Sequence, residues 1–519
     1  MIVPWLKKIQ FSNFIPWFLF ILSLTIYFLS TVGIMNSLDA PQFALTKQIV
    51  EGKTFKLNNS KYIRWAYPDI VTFQNNTYSV RTIGESVMAI PFYIFAKSLL
   101  PFTNYPYEFG HPGITQDSKI EVVTILYNAT FGAGVVVMTY FISLELSKSK
   151  YSSFLTALVV GFGTLFWRYN ASFQRFSTVT FFLLLAFFVL LKYAKNNKWH
   201  DYHSILFGSS LGSVFAVDPS NIFLVSTLLA GAFFILKKGL NLRKLLFIFL
   251  PMTILVSTYF AYNSVILKDP LKSPYLNMST KPYQKTIGYL YQIPLYQSVV
   301  VNLFNNGPIP RSTFPESFWG NTQILSSESF TWAIINQYKG IFVQSPFLLL
   351  SLIGLLLRLK NSFTFLAISL AAIGIIQNSK YVYFFGPNAY DTHYFLPIVP
   401  FIGFGFSVFL KKVSELKKLE IKIALGVTIA YIVLVSFLNG WYSNLTNFAP
   451  HVTGEHRFYL SQLYHPLASL ENINANLKLL FINTFPNIFN FHILIPYFIL
   501  CFLAQKLLTT HKILKKMFV

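Results

Sequence analysis

Acidic residues are scarce in this chain: 18 Asp and Glu stand among 519 residues, against 41 Lys and Arg, and only 11% of positions are charged. Soluble domains carry about 25% charged residues. With 54% hydrophobic residues and a mean hydropathy of +0.51, this shortfall excludes an ordinary soluble protein and points to a polytopic membrane protein. There is one cysteine, Cys501, so no intrachain disulfide forms and cysteine usage says nothing about compartment. No Gly-rich phosphate loop, low-complexity segment or short-period repeat is present.

A net charge of +23 on its own suggests nucleic acid, but the basic residues are spread over short loops between apolar runs, which argues for a membrane surface and against a nucleic-acid partner. The 56 Phe and 30 Tyr supply lipid-facing and interfacial side chains. Lys7 and Lys8 precede the apolar run Phe14 to Met35, which exceeds the 7 to about 15 residues of a signal-peptide core and reads as a retained first span. Further runs cover residues 122–144, 151–167, 176–191, 204–217, 222–236, 245–267, 340–357, 363–376, 394–410, 421–438 and 489–508. The fold class expected is therefore an all-α polytopic membrane protein of about twelve transmembrane helices. Several runs are shorter than the roughly 20 residues of a straight span.

One more apolar stretch, residues 83–100, is assigned by its charge context. If it does not cross, one face receives the N-terminus, SKSK (147–150), KYAKNNK (192–198), KKGLNLRK (237–244), RLK (358–360), KKVSELKKLEIK (411–422) and the tail. That face then holds 22 of the 41 Lys and Arg but 4 of the 18 acids. By the positive-inside rule this face is cytoplasmic, with both termini, and residues 83–100 form an interfacial or re-entrant helix. The sequence then divides into a transmembrane body, 1–438, with outer loops 37–119 and 268–339; a small outer region, 439–488; and a last helix with a basic cytoplasmic tail, 489–519. All long loops lie outside, so function belongs on the outer face of the cell membrane. Five of six sequons (Asn58, Asn75, Asn170, Asn277, Asn444) fall on that face too, with Asn128 in a span.

The first outer stretch concentrates chemistry. It opens with an isolated acid, Asp39, after the first span, and continues to Arg81 ahead of a Gly- and Pro-punctuated apolar turn. YSVRTIGESVMAIPFY (78–93), FGTLFWRYNASF (162–173), YNSVILKDPLKSPY (262–275), KGIFVQSPFLLL (339–350) and FFGPNAYDTHYFLPIVPF (384–401) follow in order. In these stretches the chain resembles the C-type membrane glycosyltransferases that take a sugar from a polyprenyl-phosphate carrier, in the branch of the protein mannosyltransferases and aminoarabinose transferases. The resemblance is collinear over residues 36–401. It departs at Ala40, where many relatives carry a second acid, and ahead of Tyr394, where His393 stands in place of an Arg.

The resemblance implies an enzyme in which Asp39 is the catalytic base and Arg81, with His393, holds the donor phosphate. Asp69, Arg64, Asp218 and Asp391 are candidates for supporting or acceptor contacts. The chemistry agrees: a phosphate monoester leaves as a stable anion, so one carboxylate to deprotonate the acceptor hydroxyl and a cation for the phosphate suffice. The implied partners are the membrane lipid, a polyprenyl-phosphate-linked sugar and a glycan, lipid or protein acceptor. No cofactor is required, although Asp39, Asp218 and Asp391 together leave room for a divalent cation; no spacing resembles a metal site. Structural readings stand beside these. Asp39 and Asp218 each suit a helix N-cap, the latter before Pro219. Arg81 suits a snorkelling interfacial cation. Lys47, Arg64 and Asp69 suit solvated loop charges, Asp391 and His393 a hydrogen-bonded loop end, and Arg168 and Arg175 the headgroup level. Two other functions fit a chain of this composition: a secondary transporter, disfavoured because the acids gather at span ends instead of the midplane, and a non-catalytic relative that scaffolds glycan assembly.

Overall fold

The computed structural model describes residues 11–31, 34, 39–58, 60, 62–63, 69–99, 118–194, 199–236, 239–274, 341–379 and 393–445. Arg64, Asp391, residues 446–488 of the expected outer region 439–488 and the expected last segment 489–519 lie outside the described residues, as does most of loop 268–339; residues 439–445 continue the last described helix, Leu419–Leu445. Apolar runs have become helices: α1 (Phe11–Leu29), then, after the lobe described below, α5 (Leu126–Ser147), α6 (Lys150–Phe162), α7 (Phe166–Asn170), α8 (Phe176–Tyr193), α9 (Asp201–Val217), α10 (Ile222–Leu236), α11 (Leu242–Leu267), α12 (Phe347–Leu356), α13 (Ser362–Ser379), α14 (Val399–Ser414) and α15 (Leu419–Leu445). Six of these, α5, α8, α10, α11, α14 and α15, counting the short turns that lead into α10 and α14, are long and apolar enough to cross a membrane; α1, α12 and α13 are shorter apolar helices. The chain is thus a polytopic α-helical membrane protein.

Boundaries follow local chemistry. The first run stops six residues early, where Ser30 and Thr31 turn their hydroxyls back onto Ile26 O (2.7 Å) and Tyr27 O (3.2 Å). The run 151–167 breaks at Gly163, giving α6 and the short α7. Close packing between α12 and α14 depends on two glycines: a Cβ on Gly354 would lie 2.7 Å from the Gly405 carbonyl carbon, and one on Gly405 2.8 Å from that of Ser351.

Successive helices alternate direction, so the turns fall at two ends of the bundle. One end carries Lys148, Lys192, Arg243, Lys244, Arg358, Lys360, Lys411, Lys412, Lys417, Lys418 and Lys422. The other receives the ends of α1, α6, α9, α11 and α13 and the starts of α5, α8, α10 and α14.

At this second end sits a lobe with its own core. It comprises α2 (Ala40–Lys47) with a following wide turn (Gln48–Gly52), an antiparallel hairpin β1 (Ile70–Phe73) and β2 (Asn76–Ser79), α3 (Ile83–Leu99) and α4 (Ser118–Thr124). Phe43, Tyr62, Tyr78, Val80, Tyr93 and Ile120 pack with Tyr127, Phe173 and Tyr262 from the bundle. The hairpin turns at Gln74 and Asn75, both with positive φ (48° and 61°), the geometry of a tight two-residue hairpin. It is the only strand pair among the described residues and was not foreseen in the sequence. α3 runs beside α2, joined by Ser86 Oγ to Gln42 Oε1 (2.7 Å) near its start and by Tyr93 Oη (2.9 Å) and Lys97 Nζ (2.8 Å) to Glu51 near its end. The described part of the apolar stretch, residues 83–99, is therefore a helix of the lobe along its whole length.

Candidate active site

The hairpin fixes the first pair of charged residues. Its register sets Ile70 opposite Ser79 and brings the flanking positions together, with Val80 N donating to Asp69 O at 3.2 Å. Arg81 Nη2 then donates to Asp69 Oδ1 at 2.9 Å, and both side chains are buried. The solvated-loop reading of Asp69 and the snorkelling reading of Arg81 are both corrected here, because the hairpin folds these two ends into the lobe's contact with the bundle.

Immediately beyond, the chain is clamped onto α9. Thr82 Oγ1 donates to Val217 O. A Cβ on Gly84 would lie 2.6 Å from the Ala216 carbonyl carbon and 2.9 Å from Val217 N, so only glycine allows α3 to start against the end of α9. The spacing of Arg81 and Gly84 in the sequence motif thus has a direct cause: the glycine seats the turn that carries the arginine.

Asp39 is fully buried at the start of α2. Its side chain makes no capping bond to the α2 backbone, contrary to the cap reading; its Oδ1 instead accepts from Gln174 Nε2. Gln174 lies in the turn between α7 and α8, and its carbonyl accepts from Asn128 Nδ2 of α5. The next residue, Arg175, donates from Nε to Asp218 Oδ2 at 2.5 Å. Arg175 and Arg168 are both buried within the protein, which corrects the reading that they simply mark the headgroup level. Asp218 also caps the turn leading into α10, as its place before Pro219 predicted: Oδ1 accepts from Ser220 N (3.2 Å) and Ser220 Oγ (2.7 Å). Burial alone raises the Asp218 pKa, but the charge and hydrogen bond of Arg175 and the bonds from Ser220 outweigh it, holding the carboxyl below the usual range.

His393 is buried in the turn before α14 among Tyr169, Phe176 and Tyr394, with ring centroids 5.4, 5.2 and 4.2 Å away. The Arg175 guanidinium carbon is 5.0 Å from the Phe176 centroid, so His393 and Arg175 share one aromatic neighbour.

Glu85, in the first turn of α3, completes the cluster and was missed in the sequence. It is 2% exposed, and Arg175, Arg81, Asp39 and Asp218 all act on it electrostatically. Its signal was available: it is the one acid in the apolar run that follows Arg81. Gln174 gave none, because its role exists only through the turn that brings it to Asp39. Among the described residues no group of three or more His, Cys, Asp or Glu could hold a metal ion.

Fold and charged cluster together define a polytopic membrane protein with buried carboxylates and arginines gathered at one end of its helix bundle. No protein-family model matches the chain, and no curated protein matches it in sequence. Among solved structures it is similar to an Archaeoglobus fulgidus oligosaccharyltransferase tethered to an acceptor peptide (TM-score 0.49, 10% identity, 84% of this chain and 55% of that one). It is also similar to that organism's oligosaccharyltransferase AglB in complex with an inhibitory peptide and a dolichol-phosphate (0.43, 12%, 85% and 56%) and to ArnT from Cupriavidus metallidurans bound to undecaprenyl phosphate (0.46, 11%, 84% and 76%). The chain spans little more than half the length of the archaeal enzymes.

Proposed function

We propose that the chain is an integral membrane glycosyltransferase that moves a sugar from a polyprenyl-phosphate carrier to an acceptor at the outer face of the membrane. The observation that carries this reading is the joining, at one end of the bundle, of Asp39, Arg81, Arg175 and Asp218, contributed by four different connections of the chain. The lysine-rich opposite end supports a cytoplasmic assignment for that end and an outer one for the site. Charge gathered at one bundle end, instead of on broken helices at the midplane, argues against a transporter.

In the proposed step Asp39 takes the proton of the acceptor hydroxyl as its oxygen attacks the anomeric carbon. The bond from that carbon to the phosphate oxygen breaks, and its electron pair leaves with the phosphate in a single inverting displacement. Arg81 and Arg175, with His393 beside them, hold the anion. Their pairing with Asp69 and Asp218 fixes the guanidinium orientations before the donor arrives, the kind of preorganisation that stabilises developing charge. The test is transfer of a labelled sugar from polyprenyl-phosphate donors by the purified full chain, offered glycan, lipid and peptide acceptors in turn. Turnover that ends when the donor is replaced by a nucleotide sugar supports the reading; turnover with the nucleotide sugar and none with any polyprenyl phosphate sinks it.

A further inference from the structure

Glu85 is placed so that its burial has no account among the described residues. Its Oε1 is sealed from solvent and has no hydrogen-bond partner among the described residues. The turn that carries it is fixed against two neighbouring helices, the end of α9 and α2. Gly84 abuts the Ala216 carbonyl, Thr82 bonds Val217 O, and Ser86 Oγ bonds both Gln42 O (3.0 Å) and Gln42 Oε1 (2.7 Å). The carboxyl therefore stays inside, where an unsatisfied polar atom is costly.

Charged and titratable groups act on it from every side. Arg81 comes from its own turn, Arg175 from the turn between α7 and α8, Asp39 from the start of α2, Asp218 from the turn between α9 and α10, and Tyr127 from α5. Each arginine already bonds another carboxylate, Asp69 or Asp218. The Glu85 carboxyl is pushed up to about 8: burial raises it most, the two arginines lower it and Asp39 and Asp218 raise it, which leaves it neutral at pH 7. A neutral carboxyl is a hydrogen-bond donor, and a donor without charge adds no repulsion to two neighbouring arginines.

We propose that Glu85, as an uncharged carboxylic acid, donates a hydrogen bond to a phosphate oxygen of the lipid-linked donor alongside Arg81 and Arg175. This rests on the reading of the site as one that takes a polyprenyl phosphate. During transfer the phosphate gains a second negative charge, and a hydrogen bond to an oxygen that becomes more anionic strengthens as the reaction proceeds. No proton leaves Glu85: the acceptor proton goes to Asp39, and the electron pair of the broken bond stays on the phosphate.

The experiment measures binding of undecaprenyl phosphate to the full chain in lipid nanodiscs between pH 7 and 9. The probe's phosphate is already largely doubly ionised there, its second pKa being about 6. Wild type is expected to bind about tenfold more weakly at pH 9 than at pH 7, one decade per unit above the carboxyl's titration. Glu85→Gln keeps an N–H donor and does not titrate, so it binds within about threefold of wild type at pH 7 with no fall to pH 9. Glu85→Leu keeps the volume without a donor and binds at least about tenfold more weakly at pH 7, the size of a lost hydrogen bond to a charged group. Leucine binding like wild type, or glutamine showing the wild-type fall, overturns the assignment of Glu85 alone. Wild type that binds no undecaprenyl phosphate at any pH overturns the reading of the site, and this assignment with it.

Discussion

Replacing Asp39 by Asn separates a catalytic base from a structural anchor, and the geometry sets what each outcome means. The side chain is fully buried and accepts from Gln174 Nε2 through Oδ1. Asn keeps a carbonyl oxygen at that place, so the turn between α7 and α8 retains its tie to the start of α2. No cap is lost, because α2 begins without a side-chain cap: Phe43 N bonds the Asp39 backbone oxygen at 3.0 Å, which the substitution leaves in place. The folding cost of Asn is then at most that of one exchanged hydrogen bond, about 0.5–1.5 kcal/mol. Ala is different. It strips the acceptor from the buried Gln174 amide, at about 1–3 kcal/mol. On the chemical side, a positioned base contributes about 10²- to 10⁴-fold, or roughly 2.7–5.4 kcal/mol of barrier. Asp39→Asn is therefore expected to be well folded and at least about a hundredfold slower, and Asp39→Ala to be equally inactive but less stable. The assay is transfer of labelled sugar from a polyprenyl-phosphate donor at equal membrane expression, with thermal stability of each purified variant read alongside. Full activity in the Asn variant, with loss of folded protein in the Ala variant, refutes the reasoning: Asp39 is then an anchor, and the base lies at Asp218, Asp391 or Asp69.

Gly84→Ala places a Cβ 2.6 Å from the Ala216 carbonyl carbon, between two backbones that have no room to part, and is expected to destabilise by about 1–3 kcal/mol, read as a drop in Tm. Asp218→Asn leaves Arg175 buried without its ion pair and is expected to cost about 3–5 kcal/mol, whereas Ser220→Ala, which removes only the hydroxyl bond to the same carboxylate, costs about 1 kcal/mol; equal losses would mean the ion pair contributes nothing. The held-down carboxyl of Asp218 contributes stability that is present above its unfolded pKa near 3.8 and fades as pH falls through its lower folded value, so the Asn variant is expected to lose that acid limb of the wild-type unfolding curve. Cysteines introduced at Asn75 and Gly110, with Cys501 replaced by Ser, are expected to label with an impermeant reagent from the same outer side; labelling of position 110 only from the cytoplasm overturns the topology.

Arg81 shows how the structure changes an experiment. From sequence its removal looks harmless to folding, as for any surface cation. Buried against Asp69 at 2.9 Å, it is tied to stability as well as to any phosphate, so Arg81→Lys, which keeps the charge and loses the fork, is the informative variant.

The sequence by itself determined the membrane class, because a scarcity of charge and a succession of apolar runs are properties of composition and need no three-dimensional contact to be read. It determined where most helices lie, and it marked Asp39, Arg81 and Asp218 as unusual, since an isolated acid or base beside an apolar run is costly unless something holds it. It also offered cap and snorkelling readings for Asp39 and Arg81, and these failed for one reason. A cap or a snorkel is a relation between neighbours along the chain, whereas the partners found, Gln174 for Asp39 and Asp69 for Arg81, lie 135 and 12 residues away and meet only through the packing of α8 and the register of the hairpin. Glu85 makes the same point: its place in the motif was visible, but the burial that keeps it neutral and the four charged groups that act on it come from separate connections of the chain, so its chemistry exists only once the lobe has closed on the bundle.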